Sequence, residues 1–213
     1  MSNKKPTSRK ERTTQTRRAI LDAARELITE KGAHNLSLRE IARRIEYSPA
    51  GLYEYFGNKE EIIQTVIGEG FQKFGSYMFA VPTDLPAEIY LRQLGLAYVT
   101  FALENPEHYI LIFSRPQLQT DTFMASGYVA DGTFQTLVGG LERAVEQGVL
   151  PESLDLEAAS FGSWSMVHGM AMLLLTQMKQ LQSDWKPMAN EMLDNWFLGM
   201  TTHAWEKDKA KSE

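Results

Sequence analysis

Eight prolines punctuate the 213 residues: Pro6, Pro49, Pro82, Pro86, Pro106, Pro116, Pro151 and Pro187. The intervals between them are mostly long enough for whole helices. Proline is tolerated in the first turn of a helix but breaks its interior, so this spacing suits an all-α chain. Strand signals are sparse. The run YILIF over 109–113 reads as a possible strand, yet no partner hairpin or Asn-Gly turn lies nearby. Periodicity and caps give about nine helices. The first covers 14–31, with Ile20, Ala23, Ala24, Leu27 and Ile28 on one face and Gly32 as its stop. Ser37 with Glu40, and Asn58 with Glu61, have the spacing of capping boxes. They open a short second helix and a longer fourth one running to about residue 79, with a third over 50–56 between them. Further helices are expected over 84–104, 106–114, 121–147, 155–181 and 186–206.

Several chemistries drop out on residue types alone. The chain has no cysteine, which excludes disulfides, thiolate metal sites and cysteine nucleophiles. His34, His108, His168 and His203 form no His-x-x-x-His or Glu-x-x-His pair, and no phosphate loop or nucleophile elbow is present. An enzyme, a metal and a cofactor are therefore not expected. No unbroken apolar run approaches the roughly 18–20 residues that span a bilayer, and the first 30 residues lack a signal-peptide core. The expectation is a soluble, cytoplasmic protein without a membrane partner.

Charge divides the chain. Residues 1–60 hold 13 Lys and Arg against 8 Asp and Glu, whereas residues 61–213 hold 9 against 19. A basic head on an acidic body fits a head that meets a polyanion, and it equally fits a solubilising tail. Within the head, residues 37–56 read as two short helices joined by a tight turn, with Leu38, Ile41, Ala42, Ile45, Leu52 and Phe56 as core positions. A helix-turn-helix rests one helix on phosphates and sends the next into the major groove. A helical hairpin with no nucleic-acid role has the same spacing.

The residues themselves resemble a known family. LSLREIARRIEYSPAGLYEYFGNKEEII is similar to the DNA-binding domain of TetR-family transcriptional regulators. The matching positions are Ser37, Ile41-Ala42, Ser48-Pro49, Leu52-Tyr53, Phe56 and Asn58-Lys59-Glu60, preceded by ILDAARELITEKG. Two departures stand out. The family turn reads Ala-Gly-Val-Ser, and here it is Ile45-Glu46-Tyr47-Ser48. Glu46 must then take up the glycine's left-handed conformation, at about 1 kcal/mol, or the turn is reshaped. Glu54 also sits where basic or polar residues are common, so it either points away or accepts from a cytosine amino group.

The resemblance implies two domains: an arm and three-helix helix-turn-helix over 1–60, and a larger helical effector-binding and dimerisation domain over 61–213. It implies DNA contacts from Ser37, Arg39, Arg43 (or Arg44), Ser48, Pro49, Ala50, Gly51, Tyr53, Tyr55 and Lys59. Lys4, Lys5, Arg9, Lys10 and Arg12 would form an arm for the minor groove. In the body, Phe101, Tyr109, Phe113, Phe123, Phe134, Trp164 and His168 are candidate lining residues of an effector pocket. His168 fits a satisfied core histidine as well as a ligand donor. Trp164 with His168-Gly169 resembles a Trp-x-x-x-His-Gly signature of one subgroup. Phe161, Ala189, Met192, Leu193, Trp196, Phe197 and Met200 are candidate dimer contacts, with an intramolecular core as the alternative. The implied function is a repressor that binds a pseudo-palindromic operator as a homodimer and is released by a small, mostly apolar effector. An architectural DNA-binding protein without a ligand, and a helical enzyme or carrier, are the competing readings.

Overall fold

The structure, a computed structural model, describes residues 8–32, 35–113 and 132–212, with side chains as far as residue 201. Among the described residues there are nine α-helices and no strand: α1 (Arg9–Lys31), α2 (Leu38–Arg44), α3 (Pro49–Leu52), α4 (Lys59–Met78), α5 (Ala87–Glu104), α6 (Pro106–Phe113), α7 (Thr133–Glu146), α8 (Leu156–Thr176) and α9 (Trp185–Ser212). The chain divides into two compact units. One is Met1–Phe71 with Glu107–Ser114, and the other is Gln72–Pro106 with Arg115–Glu213.

In the first unit, α1 buries Ile20, Leu21, Ala23, Ala24, Leu27 and Ile28, and it stops at Gly32, whose φ of 77° admits no Cβ without strain. Its start lies five residues before the expected one. Ser8 accepts from the Glu11 amide, and the Glu11 carboxylate accepts from the Ser8 amide, a reciprocal cap that carries the helix out to Arg9. The Ser37–Glu40 box does not form: Ser37 makes no side-chain cap bond, and Glu40 pairs with Lys31 instead. YILIF is helical. Pro106 opens α6, which buries Tyr109, Leu111 and Ile112 in this unit. A Cβ on Gly70 would lie 2.8 Å from Ile112 Cγ2, so α4 and α6 meet there at backbone distance. Arg18 bonds both carboxylate oxygens of Glu69 at 3.2 Å, and Arg25 reaches Glu107 at 3.3 Å. These pairs tie α1 to the same two helices.

In the second unit, α5 is the centre. It buries nine residues, from Ala87 to Ala102, and packs against α7, α8 and α9. Leu91 joins Leu141, Ala144, Leu150 and Ala159 in one cluster. Each such leucine stabilises the fold by about 1.5–3 kcal/mol when fully buried. The expected helix over 155–181 ends at Thr176, where the Gln177 and Met178 amides both turn back to the Leu173 carbonyl. A 3₁₀ turn, Lys179–Leu181, follows. Among the described residues α8 is the one helix long and apolar enough, by length and composition alone, to cross a membrane, a test that the core helix of a soluble protein also passes.

Candidate nucleic-acid interface

Ile41 and Ala42 anchor α2 in the core of the first unit, and the chain must then reverse within the four residues 45–48 to start α3. Glu46 makes the reversal with φ at 53°, the left-handed conformation expected from the missing glycine. The Tyr47 amide donates to the Ala42 carbonyl at 2.8 Å, closing the turn. Ser48 caps α3 by accepting from the Gly51 amide at 3.0 Å, and Pro49 occupies its first turn, where no amide is needed. Helix α3 ends at Leu52 rather than 56. From Tyr53 to Tyr55 the amides bond the carbonyl three residues back, the tighter 3₁₀ pattern.

Ser48, Pro49, Ala50, Tyr53 and Glu54 are exposed along this element, while Gly51 and Tyr55 are half-buried. Tyr53 stands out, with 59% of its surface accessible. Leu52 and Phe56 point inward, and the Arg17 guanidinium lies 4.6 Å from the Phe56 ring centroid. Beyond it, Asn58 accepts from the Glu61 amide at 2.8 Å, and the Glu61 carboxylate accepts from the Gly57 amide at 2.7 Å. The cap sets Lys59 at the opening of α4, beside backbone amides and the positive end of the helix dipole.

Of the two arginines considered on α2, Arg44 is turned back. It grips Glu30 through two bonds of 2.8 and 3.0 Å and reaches Glu26 at 3.3 Å. The hydrogen bond from Arg44 holds the Glu30 carboxyl below its ordinary pKa, and the same bond raises that of Arg44. Arg39 and Arg43 are exposed, and Ser37 is half-buried at the start of α2. Within the expected arm, Arg9, Lys10 and Arg12 belong to α1, and Lys4 and Lys5 lie outside the described residues. Lys10, Thr13, Thr14 and Arg17 continue the core-facing stripe of Ile20, Leu21 and Ala24 past the end of the packed core.

Tyr47 was missed by sequence reasoning. Its ring meets that of Tyr55 edge to face at 6.1 Å, with the two hydroxyl oxygens 3.4 Å apart. A Cβ on Gly51 would lie 2.5 Å from Tyr47 Cε1, so the ring fills the space that glycine leaves. The available signal was the pair of tyrosines flanking a Ser-Pro-Ala-Gly cap.

The expected pocket residues fall into two groups. Tyr109 and Phe113 belong to the first unit, their rings tilted against one another with centroids 4.9 Å apart, and Phe71 lies beside Phe113. Phe101, Phe134, Trp164 and His168 belong to the second, and Phe123 lies outside the described residues. There, Trp164 touches both Phe134 and His168, and its Nε1–H donates to Tyr98 Oη at 3.2 Å. Tyr98 Oη in turn lies 3.0 Å from His168 Nδ1. Burial lowers the His168 pKa. Among the expected dimer contacts, Ala189 is buried, and Leu193 fills the space above Gly95. Trp196 covers Gly162 and donates to Ser163 Oγ at 2.8 Å. Phe197 and Met200 pack on the Leu91 cluster. These side chains serve the protomer's own core. Met192 is half-buried, and Phe161 is 64% exposed.

Residues 20–66 match the model for bacterial regulatory proteins of the tetR family, and residues 91–196 match that for a tetracyclin repressor-like C-terminal domain. The chain is 24% identical over 169 residues to the HTH-type transcriptional regulator YobS of Bacillus subtilis (strain 168), covering 79% of this chain and 84% of that protein. It is 25% identical over 145 residues to the fatty acid metabolism regulator protein of the same organism, covering 66% and 73%. Among solved structures, MexZ of Pseudomonas aeruginosa superposes with a TM-score of 0.72 at 22% identity, over 89% of this chain and 96% of that one. FadR of Bacillus halodurans, a fatty acid degradation regulator, gives 0.66 at 18% identity, over 94% and 97%. With its helix-turn-helix head and helical C-terminal domain, the chain belongs to the TetR family of transcriptional regulators, which bind DNA and are not enzymes.

Proposed function

We propose that this regulator is a cytoplasmic repressor that holds a pseudo-palindromic operator as a homodimer and releases it when a small, mostly apolar effector binds. The observation that carries the reading is the Ser48-capped α3, which exposes Pro49, Ala50 and Tyr53, with Lys59 following at the start of α4. In this reading α3 enters the major groove. Tyr53, Lys59 and the Ser37 end of α2 hold phosphates on either side, and Arg39 and Arg43 reach further backbone or base edges.

Dimerisation is supported by α8 and α9. From Ala158 to Met178 the chain carries no Asp, Glu, Lys or Arg, yet Phe161 and Leu173 are exposed on α8 and Met188 and Leu198 on α9. A charge-free helix with bare apolar side chains needs a second apolar surface, and an identical copy supplies one. For the effector, the cluster of Trp164, Tyr98 and His168 among aromatic side chains offers a few polar atoms in an apolar setting. Two relatives are named for fatty acid metabolism or degradation, which points the effector class toward acyl chains. The test is selection of a duplex from a random pool, followed by titration of acyl compounds against the complex. Dimeric binding that an acyl compound reverses supports the reading. A monomer on DNA, or a complex that no acyl compound disturbs, overturns the corresponding part.

A further inference from the structure

Between Tyr47 and Gly57 the reading element carries no lysine, arginine, histidine, asparagine or glutamine. The commonest specific contact in a major groove, a basic side chain on guanine O6 and N7, is therefore closed to α3 and the turn that follows it. What this element does present is oxygen. Tyr47 and Tyr55 bring their hydroxyls within 3.4 Å of one another, and the Glu54 carboxylate is exposed beside them. Each phenol has one donor and two acceptor sites, and an ionised carboxylate only accepts. With one proton shared between the two phenols, acceptor sites outnumber donors several times over. The phenol of Tyr47 is held above its ordinary pKa, first by the hydrogen bond to Tyr55, with burial and the nearby Glu54 acting in the same direction. It stays neutral, and the carboxylate supplies the charge of the cluster.

Tyr47 organises this edge. Glu46 turns the chain through its left-handed conformation, and the ring of Tyr47 then lies in the space above Gly51 and against the Tyr55 ring. Without that ring, Tyr55 loses the neighbour that its own ring and hydroxyl meet. We propose that Tyr47 is a specificity-determining residue that, with Tyr55 and Glu54, builds an acceptor-rich edge selecting exocyclic amino groups of cytosine or adenine rather than the acceptor edge of guanine. The inference rests on the reading of α3 as the major-groove element. Guanine, where the operator holds it, is left to Arg39 and Arg43 on α2.

The test uses the full chain and a duplex selected from a random pool. Cytosine is replaced by pyrimidin-2-one and adenine by purine, each lacking its amino group, and guanine by its 7-deaza analogue. Removing an amino group at one or two positions in each half-site should weaken binding about tenfold, the scale of a good base contact. Loss of the guanine N7 under α3 should change affinity by less than about twofold. Tyr47→Phe keeps the ring over Gly51 and Glu54→Gln keeps the shape, and either should erase the tenfold dependence on the amino group. Tyr47→Ala should shift which base is preferred, since Tyr55 is then unsupported. The proposal is overturned if 7-deazaguanine weakens binding as strongly as amino removal, or if all three variants discriminate like the parent. A parent that selects no duplex has a different signature, because it removes the DNA-binding reading and this inference with it.

Discussion

Two surfaces of this molecule expose large aromatic side chains to a similar degree, and they differ in what tips those rings. In the first unit the exposed rings are Tyr53 and Tyr47, phenols in a unit that also carries the exposed Arg39 and Arg43 and Lys59 at the start of α4. In the second they are Phe79 and Phe161, and α8 and α9 also expose Leu173, Met188 and Leu198, with α8 free of Asp, Glu, Lys and Arg after Glu157. A phenol keeps its hydrogen bonds in a wet, charged groove, and the cations of the same unit are attracted to phosphate. A bare phenyl gains only by leaving water. Similar exposure thus carries opposite instructions, one for a polyanion and one for another apolar face.

The sharpest way to break the comparison is to put charge on the apolar face. Phe161→Glu with Leu198→Glu should dissociate the proposed homodimer, since an uncompensated buried charge costs about 3–5 kcal/mol. Operator affinity should fall by more than about a hundredfold, because a lone head engages one half-site. Sedimentation shows the mass, and circular dichroism shows that the helices persist. A variant that remains dimeric returns the interface to another surface. The same pair of charges on Trp196 and Phe197 is a poor probe, because those rings cover Gly162 and the Leu91 cluster inside the protomer.

A single methyl tests the phenol face. In Gly51→Ala the new Cβ would meet Tyr47 Cε1 at 2.5 Å and Ser48 Oγ at 2.9 Å. The ring must swing away and the cap loosens, a loss of about 1 kcal/mol for the cap. Operator binding should drop about tenfold with only a modest fall in melting temperature. Unchanged binding would show that the Tyr47 ring has no part in recognition. Lys59→Ala should act differently, weakening binding severalfold to every duplex alike. The slope of log affinity against log salt should fall by about 0.9 for each phosphate that the lysine no longer neutralises. An unaltered slope removes Lys59 from the backbone.

Acid should separate the two units. Burial places the His168 pKa below the ordinary 6.5, so the folded second unit keeps the ring neutral. As pH falls through 6.5 the unfolded chain gains a proton that the folded one refuses. Stability is therefore full above 6.5 and is lost between there and the lower folded value. Tyr98 and Trp164 face the ring. His168→Gln should flatten the melting temperature over that range, and a slope equal to that of the parent would assign it to other groups.

Local chemistry was legible where one residue decides the outcome. Gly32 stops α1 and Asn58 caps α4, each from its own φ or side chain. Legibility failed where a second residue competes. Ser37 and Glu40 have the spacing of a cap, but Lys31, nine residues before Glu40, takes the carboxylate. The stripe of Leu193, Trp196, Phe197 and Met200 is apolar whichever surface it faces, so periodicity could not separate its own core from a partner's. Close approach of Leu193 to Gly95 and of Trp196 to Gly162 shows what those two side chains touch within the protomer. Tyr47 escaped because its role depends on a left-handed Glu46 and a glycine four residues on, which no periodic pattern records.

That left-handed residue sets up the smallest effect. Glu46 holds φ at 53°, where a Cβ crowds the following carbonyl and costs on the order of 1 kcal/mol. Glycine removes the crowding but loses more chain entropy on folding, an opposing term of about 0.5–1 kcal/mol. Glu46→Gly should therefore stabilise the head by at most about 0.5 kcal/mol, visible as a small rise in denaturation midpoint at constant slope. The turn geometry is unchanged, so Tyr47 still reaches Gly51 and base preference should be that of the parent. Were the base preference to change, the conformation of this turn rather than the tyrosine it delivers would be the source of specificity on the phenol face.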